Sequence, residues 1–232
     1  MSVWEIAARI IGHSFLLPTI PETFIAMCKI LSQKESYFAL ISTLDRVLAS
    51  ITVGAFLGVL LAVLSKKISP VRYIVEPMVS VMRSTPVTVI SLLLYLLLPG
   101  EVAPIVVALF LIMPLIWQNV IDGYDSIDKN LDEVCTVFEF SKFKRFRYLV
   151  LPTLVKFFVP ALVSSVGLAW KAVISGEILV HTTDSIGEII FDAKNSMLDS
   201  EATFAWTLLI ITVSIVFEKL TKFIARRLQQ CR

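Results

Sequence analysis

Hydrophobic residues in this chain fall in long unbroken runs rather than in the short alternations of a soluble fold. No Lys, Arg, Asp or Glu interrupts residues 47–64, 84–100, 102–121 or 202–217. As helices these runs rise roughly 25–30 Å, close to the hydrocarbon thickness of a bilayer. A fifth run, 154–180, is interrupted by Lys156, Lys171 and Glu177. Residues 3–17 are apolar but carry Glu5, Arg9 and His13, which makes them too short and too charged for a span. Pro18 and Pro21 punctuate the chain, and 22–40 reads as a helix lying on the outer face. The pattern predicts an all-α polytopic membrane protein with five spans and a short N-terminal helix. Residues 1–40 form the N-terminal part and 41–232 the transmembrane core.

Local punctuation refines the spans. The stretch 71–98 is too long for one straight helix and contains Pro77 and Pro86, each of which removes a backbone hydrogen bond. It predicts a bent or broken helix. The next span carries Pro104 and Pro114 and ends near Gln118-Asn119. Gly54 and Gly58 have the small-xxx-small spacing of a close helix crossing, a spacing that membrane helices also show by chance. Ser185 and Glu188 have capping-box spacing, with Ile186, Ile189, Ile190, Ala193 and Met197 following at helical intervals. That predicts a short amphipathic outer helix over 184–199. There is no repeat and no low-complexity tract.

Composition agrees with the pattern. The chain is 56% hydrophobic and only 17% charged, too apolar for an ordinary soluble domain of 232 residues. A net charge of +2 gives no basic patch for nucleic acid. The basic residues are unevenly placed. Lys66, Lys67 and Arg72 share one segment; Lys129, Lys142, Lys144, Arg145 and Arg147 another; Lys219, Lys222, Arg226, Arg227 and Arg232 follow the last span. Alternating spans put all three segments on one side, which the positive-inside rule makes the cytoplasm, with the C-terminus. Cys28 falls outside while Cys135 and Cys231 fall inside, so no disulfide framework is expected. The first apolar stretch lacks the clean core of a cleavable signal peptide.

The cytoplasmic segment 124–151 is the longest polar interruption. Leu131, Val134, Cys135 and Phe138 share one helical face, and Phe140, Phe143 and Phe146 form a second stripe beside Lys142, Lys144, Arg145 and Arg147. Two short helices bent near Glu139 would present aromatic knobs to a partner's groove. The alternative is an interfacial helix resting its basic residues on anionic lipid. Within the spans, Lys171 and Glu177 each cost about 2.5–3.5 kcal/mol to insert, so they face a cavity or a partner, or Lys171 snorkels. Arg83 either faces the same route or caps carbonyls at a bent helix end. His13 and His181 have no metal-ligand spacing. GxxxxGK[ST], HExxH and GxSxG are absent, so no catalytic, metal or cofactor site is indicated. Uphill transport would draw its energy from another chain.

Segment 133–152 opens on Glu133-Val134-Cys135 and closes on Leu151-Pro152. It resembles the EAA loop of binding-protein-dependent ABC importer permeases in its spacing from Glu to Pro. It departs from that pattern in Val134-Cys135, where the family has two alanines, and in Glu139, where the family has Gly. Arg83-Ser84-Thr85-Pro86 is similar to the family's Arg-x-x-Pro, and Leu17-Pro18-Thr19-Ile20-Pro21 to its Leu-Pro-x-x-Pro turn. Gly167-Leu168-Ala169-Trp170 through Glu177 looks most like the nitrate/sulfonate/taurine branch, which includes thiamine-precursor importers. The resemblance implies a multi-pass permease of the bacterial inner membrane, not itself an enzyme. It would pair with a second copy or paralogue, a cytoplasmic ATPase dimer and an extracytoplasmic solute-binding protein. Its solute would be a small anion, a sulfonate or a thiamine-precursor-like molecule.

The resemblance assigns ATPase coupling to Glu133, Val134, Cys135, Phe138, Glu139, Phe140, Phe143, Leu151 and Pro152. It assigns the translocation path to Arg83, Pro86, Trp170, Lys171 and Glu177. Asp184, Glu188 and Asp192, on the acidic outer segment, are expected to meet the binding protein. Glu139 is expected to keep ordinary helical dihedrals, since positive φ is uncommon outside Gly. The other reading gives it an unusual backbone held by Lys142 or Lys144. A rival function is a secondary transporter or channel driven by an ion gradient, against which stand the missing inverted repeat and the sparse buried charge. A membrane-embedded enzyme would need a reactive constellation that the chain lacks.

Overall fold

The computed structural model describes residues 3–13, 16–195 and 198–230. Met197, Cys231 and Arg232 lie outside the described residues. The described elements are helical: α1 (Val3–Ile11), α2 (Ile20–Ser32), α3 (Lys34–Lys67), α4 (Ser69–Ser84), α5 (Val87–Leu97), α6 (Ala103–Asp125), α7 (Lys129–Val137), α8 (Lys142–Arg145), α9 (Leu151–Val180), α10 (Ile186–Asn195) and α11 (Ser200–Gln230). Four helical stretches are long and apolar enough to cross a membrane, and the bent pair α4–α5 makes a fifth. This matches the five expected spans. At nine residues α1 is too short to cross.

The N-terminal part is held by specific bonds rather than by depth. Trp4 Nε1 donates to Pro18 O at 3.0 Å, and the Glu5 carboxylate accepts from Ile20 N at 3.1 Å and pairs with Arg9 at 2.8 Å. The Ile20 N–H, and after it Arg9, hold the Glu5 carboxyl below the usual range. Thr19 and Glu22 form a capping box that starts α2, with Pro21 in its first turn. The expected outer helix over 22–40 is corrected in one respect. The chain breaks at extended Gln33, and residues 34–40 are the first two turns of α3. At 34 residues α3 is roughly 51 Å long, so it outruns the bilayer.

The break in the second span falls where the prolines put it. Pro77 is accommodated within α4, whereas Pro86 follows extended Thr85, and α5 departs from α4 at 104°. The span carrying Pro104 and Pro114 runs past Gln118-Asn119 to Asp125. Both amides are absorbed locally: Gln118 Nε2 donates to Asp122 at 2.8 Å and Asn119 Nδ2 to Leu115 O at 2.8 Å.

The core forms where α6 lies between α3 and α9. Val47, Val107, Ile112, Ile116, Trp117, Ala169 and Val173 are buried there, and Trp117 Nε1 donates to Ser65 Oγ at 3.2 Å. Lipid is as apolar as these side chains, so close packing rather than water exclusion holds such helices together. The two glycines of α3 supply that closeness. A Cβ on Gly54 would lie 2.7 Å from Ile112 Cγ2, and one on Gly58 would lie 2.8 Å from Ile116 Cβ and 2.9 Å from Met113 O. The small-xxx-small spacing is therefore a packing seam. Gly58→Leu should cost about 1–3 kcal/mol through overpacking and lower the unfolding temperature of the purified protein in detergent. An unchanged unfolding temperature would mean α3 and α6 are not this close. A second buried cluster, with Ile30, Ala39, Ile186, Trp206 and Leu209, joins α2, α3, α10 and α11.

Candidate functional site

The polar element 124–151 grows from the end of α6. Asp125 accepts from Lys66 Nζ at 2.9 Å and from Arg72 Nη2 at 3.0 Å, gathering the end of α3, the start of α4 and the end of α6. These groups are partly exposed, so each pair contributes on the order of 0–1 kcal/mol. Asp128 then caps α7 by accepting from Asn130 N at 2.8 Å, and Ser141 caps α8 by accepting from Lys144 N at 3.3 Å. An ion pair between Asp132 and Arg145 ties α7 to the end of α8. Two short helices bent near Glu139 are thus present, as expected.

The bend corrects the expectation for Glu139, whose φ is +51° rather than helical. The reason lies in how α7 ends. Phe140 N donates to Cys135 O at 2.9 Å and Glu139 N to Thr136 O at 3.1 Å. This pair of bonds satisfies the last carbonyls of α7 and requires a left-handed residue between Phe138 and Phe140. Gly fills such a position at no steric cost, whereas Glu fills it under strain. No ion pair among the described residues holds Glu139 to Lys142 or Lys144.

At Leu151-Pro152, where α9 begins, the chain does not break. A π-helical turn, Phe146–Val150, joins α8 to α9, so helix runs unbroken from residue 142 to 180. Leu151 N donates to Phe146 O, five residues back. Proline has no N–H and its ring crowds the carbonyl four residues back; the widened turn relieves both problems without breaking the helix.

Exposure sorts the predicted coupling residues. Phe138, Phe143, Val137 and Tyr148 are 71–78% exposed, and Leu131, Val134, Phe140 and Phe146 are also open. Glu133 is exposed on the same element. Cys135 is the exception. It is buried beneath the turn and presents nothing to a partner.

The predicted path residues do not share one surface. Arg83 and Pro86 sit exposed at the break between α4 and α5, and Arg83 caps no carbonyl among the described residues. Glu177 is fully enclosed within this chain. Its carboxylate accepts from Arg46 Nη1 at 3.0 Å, Thr43 Oγ1 at 3.0 Å and Gly187 N at 3.3 Å. Arg46 Nη2 also reaches Thr183 O at 3.3 Å, and Thr43 Oγ1 accepts from Ile186 N at 3.2 Å. Gly187 lies so near that a Cβ there would stand 2.3 Å from Glu177 Cβ. The cluster pins the start of α10 onto α3 and α9. Sequence reading missed Arg46 and Thr43 because Arg46 borders the charge-free run 47–64 and looks like its edge. The available signal was an opposite charge to Glu177 at the start of another apolar run.

Trp170 and Lys171 line a groove of about 460 Å³ between α9, α10 and α11. Trp170 is buried and stacks on Phe217, ring centroids 6.0 Å apart, while Lys171 is exposed. Ahead of α10, Ser185 Oγ accepts from Glu188 N at 3.0 Å and Glu188 accepts from Asp184 N at 2.7 Å, so Glu188 is occupied in capping α10. Asp184 is exposed and Asp192 half-buried. His13 and His181 take part in no metal-ligating cluster among the described residues.

Residues 54–230 match the family model described as the inner membrane component of binding-protein-dependent transport systems. A nitrate import permease protein of Synechocystis is 29% identical over 188 residues, which are 79% of this chain and 66% of that protein's length. A putative aliphatic sulfonates transport permease protein of Bacillus subtilis is 21% identical over the whole chain and 84% of its own length. A bicarbonate transport system permease protein of Synechococcus elongatus is 24% identical over 83% of the chain and 68% of its own length. Among solved structures, an amino acid ABC transporter crystallised with histidines superimposes with a TM-score of 0.68 at 19% identity, covering 82% of this chain and 92% of the other. That likeness shows a shared fold.

Proposed function

Because this chain belongs to the family of inner-membrane components of binding-protein-dependent transport systems, we propose that it is the permease subunit of an ABC importer for a small oxyanion. It would form the solute path, take solute from an extracytoplasmic binding protein, and draw its energy from a cytoplasmic ATPase dimer. A second copy or paralogue would complete the path. The observation that carries this reading is the cytoplasmic element built by α7, α8 and the π turn. It leaves Val137, Phe138, Phe143 and Tyr148 uncovered by the rest of the chain, beside the basic residues Lys142, Lys144, Arg145 and Arg147. Exposed aromatic knobs on a braced two-helix element fit a partner's groove. The loop's direct continuity into α9 supports transmission, since force on α8 reaches the outer end of the span through one unbroken helix.

The solute class rests on the relatives, which are described as permeases for nitrate, aliphatic sulfonates and bicarbonate. All three solutes carry oxygen-borne negative charge. Asp184 and Asp192 remain the best candidates for contact with a binding protein, with Glu188 acting on the fold of α10.

The ATPase reading is tested by capture. The affinity-tagged chain, purified from native membranes in mild detergent, should retain a P-loop ATPase identifiable by mass spectrometry. Capture requires α7 and α8 to face the cytoplasm, so the same experiment tests the orientation. Solute uptake by a preparation free of any ATPase, driven by an ion gradient alone, would establish the rival mechanism.

A further inference from the structure

The groove between α9 and α11 has a polar line that its surroundings do not explain. Lys171 and Ser175 are one turn apart on α9, Ser214 and Glu218 one turn apart on α11, and all four line the same cavity. Its other walls are mainly isoleucines. Among the described residues Lys171 has no carboxylate at ion-pair distance, and the hydroxyls of Ser175 and Ser214 have no hydrogen-bond partner. Glu218 is already paired, with Lys222 one turn on. The indole N–H of Trp170, the residue before Lys171 and part of the same wall, is buried without an acceptor.

Four groups that can donate are therefore gathered on two apolar spans, and the nearby carboxylate is neutralised by its own partner. Snorkelling explains poorly why the hydroxyls fall on the same line as the lysine. Unpaired cations and unused donors within a membrane mark solute routes. Lys171 is the cation of the lining, and Glu218, the carboxylate there, is bonded to Lys222 outside it, which favours an anion at Lys171.

We propose that this groove is a wetted track in which a small soluble oxyanion pauses at Lys171, with the Ser175 and Ser214 hydroxyls as further donors. The proposal rests on the importer reading and gives it a site. The ion would exchange its water for one ammonium and two hydroxyls, and the isoleucine walls would limit its size.

Thiol accessibility tests it. Ser175→Cys and Ser214→Cys are made in the full-length chain, and membrane vesicles are treated with an anionic (sulfonate) or a cationic (trimethylammonium) methanethiosulfonate. Modification of each site is read by peptide mass spectrometry, with rates normalised to a free thiol in solution. We expect both sites to react, the anionic reagent at least about tenfold faster than the cationic one, as one nearby uncompensated charge would produce. Adding Lys171→Gln should abolish that bias, and sodium nitrate should slow the anionic reagent relative to sodium gluconate at equal ionic strength. No reaction in vesicles would mean the face is sealed by lipid or a second copy, and would overturn the track. Preference for the cationic reagent would overturn the charge assignment. Reaction only after phospholipid is replaced by maltoside detergent, with no protection by nitrate, would assign Lys171 to a lipid phosphate instead. ATPase capture is independent of all these results, so it separates failure of the track from failure of the importer reading.

Discussion

Glu177→Ala is expected to be the most damaging single substitution in the spans. It would leave the Arg46 side chain, only 11% exposed, without its counter-charge, and would strip Thr43 Oγ1 and Gly187 N of their acceptor. Removing one partner of a buried pair typically costs about 3–5 kcal/mol, because the remaining charge stays desolvated. The loss should appear as a large drop in unfolding temperature and as proteolysis between residues 181 and 195, where α10 loses its anchor. Glu177→Gln keeps an acceptor for Thr43 and Gly187 but not the charge, so its effect should be intermediate. Pairing Glu177→Ala with Arg46→Leu should recover part of the loss, and the double-mutant cycle would measure the coupling. Wild-type unfolding and protease resistance in Glu177→Ala would show that the cluster does not hold α10 in place.

The second large effect concerns transmission. Glu133→Arg reverses a charge on the exposed cytoplasmic element, and Phe138→Ala removes one of its most exposed aromatic side chains. Aromatic anchors at interface centres are worth about 2–4 kcal/mol, which is thirtyfold or more in partner affinity. Each variant should therefore insert normally, yet lose most solute uptake and most binding-protein-stimulated ATP hydrolysis in reconstituted complexes. Glu139→Gly serves as the contrast. It relaxes a left-handed residue that costs roughly 1–2 kcal/mol, so it should leave coupling intact and raise stability slightly. Full transport and normal ATPase coupling in both Glu133→Arg and Phe138→Ala would remove this element from the transmission path.

These two predictions differ in how far the sequence alone could reach them. The pair of short helices around Glu139 was legible because its signal is local. Helical spacing sets which aromatics share a face, and a polar segment between spans needs a reason to be there. Its ends were less legible. The conformation of Glu139 follows from which carbonyls of α7 need donors, and the turn before Pro152 follows from a helix continuing where a proline normally starts one. Both depend on backbone bonding that residue identity does not announce.

By itself, the sequence determined the five spans, the break at Pro86 and the two short helices between the third and fourth spans. Each of these is decided by hydropathy, by a missing N–H or by periodicity, all carried by neighbouring residues. Only the tertiary structure decided that Gly54 and Gly58 form a seam with α6, that Glu177 belongs to Arg46 and Thr43, and that Lys171 shares a groove with Ser214. The physical reason is range. A charge or a glycine within an apolar helix states that something must lie against it, but the partner stands on another helix, as far as 134 residues away for Thr43 and Glu177, and helix packing alone brings the two together.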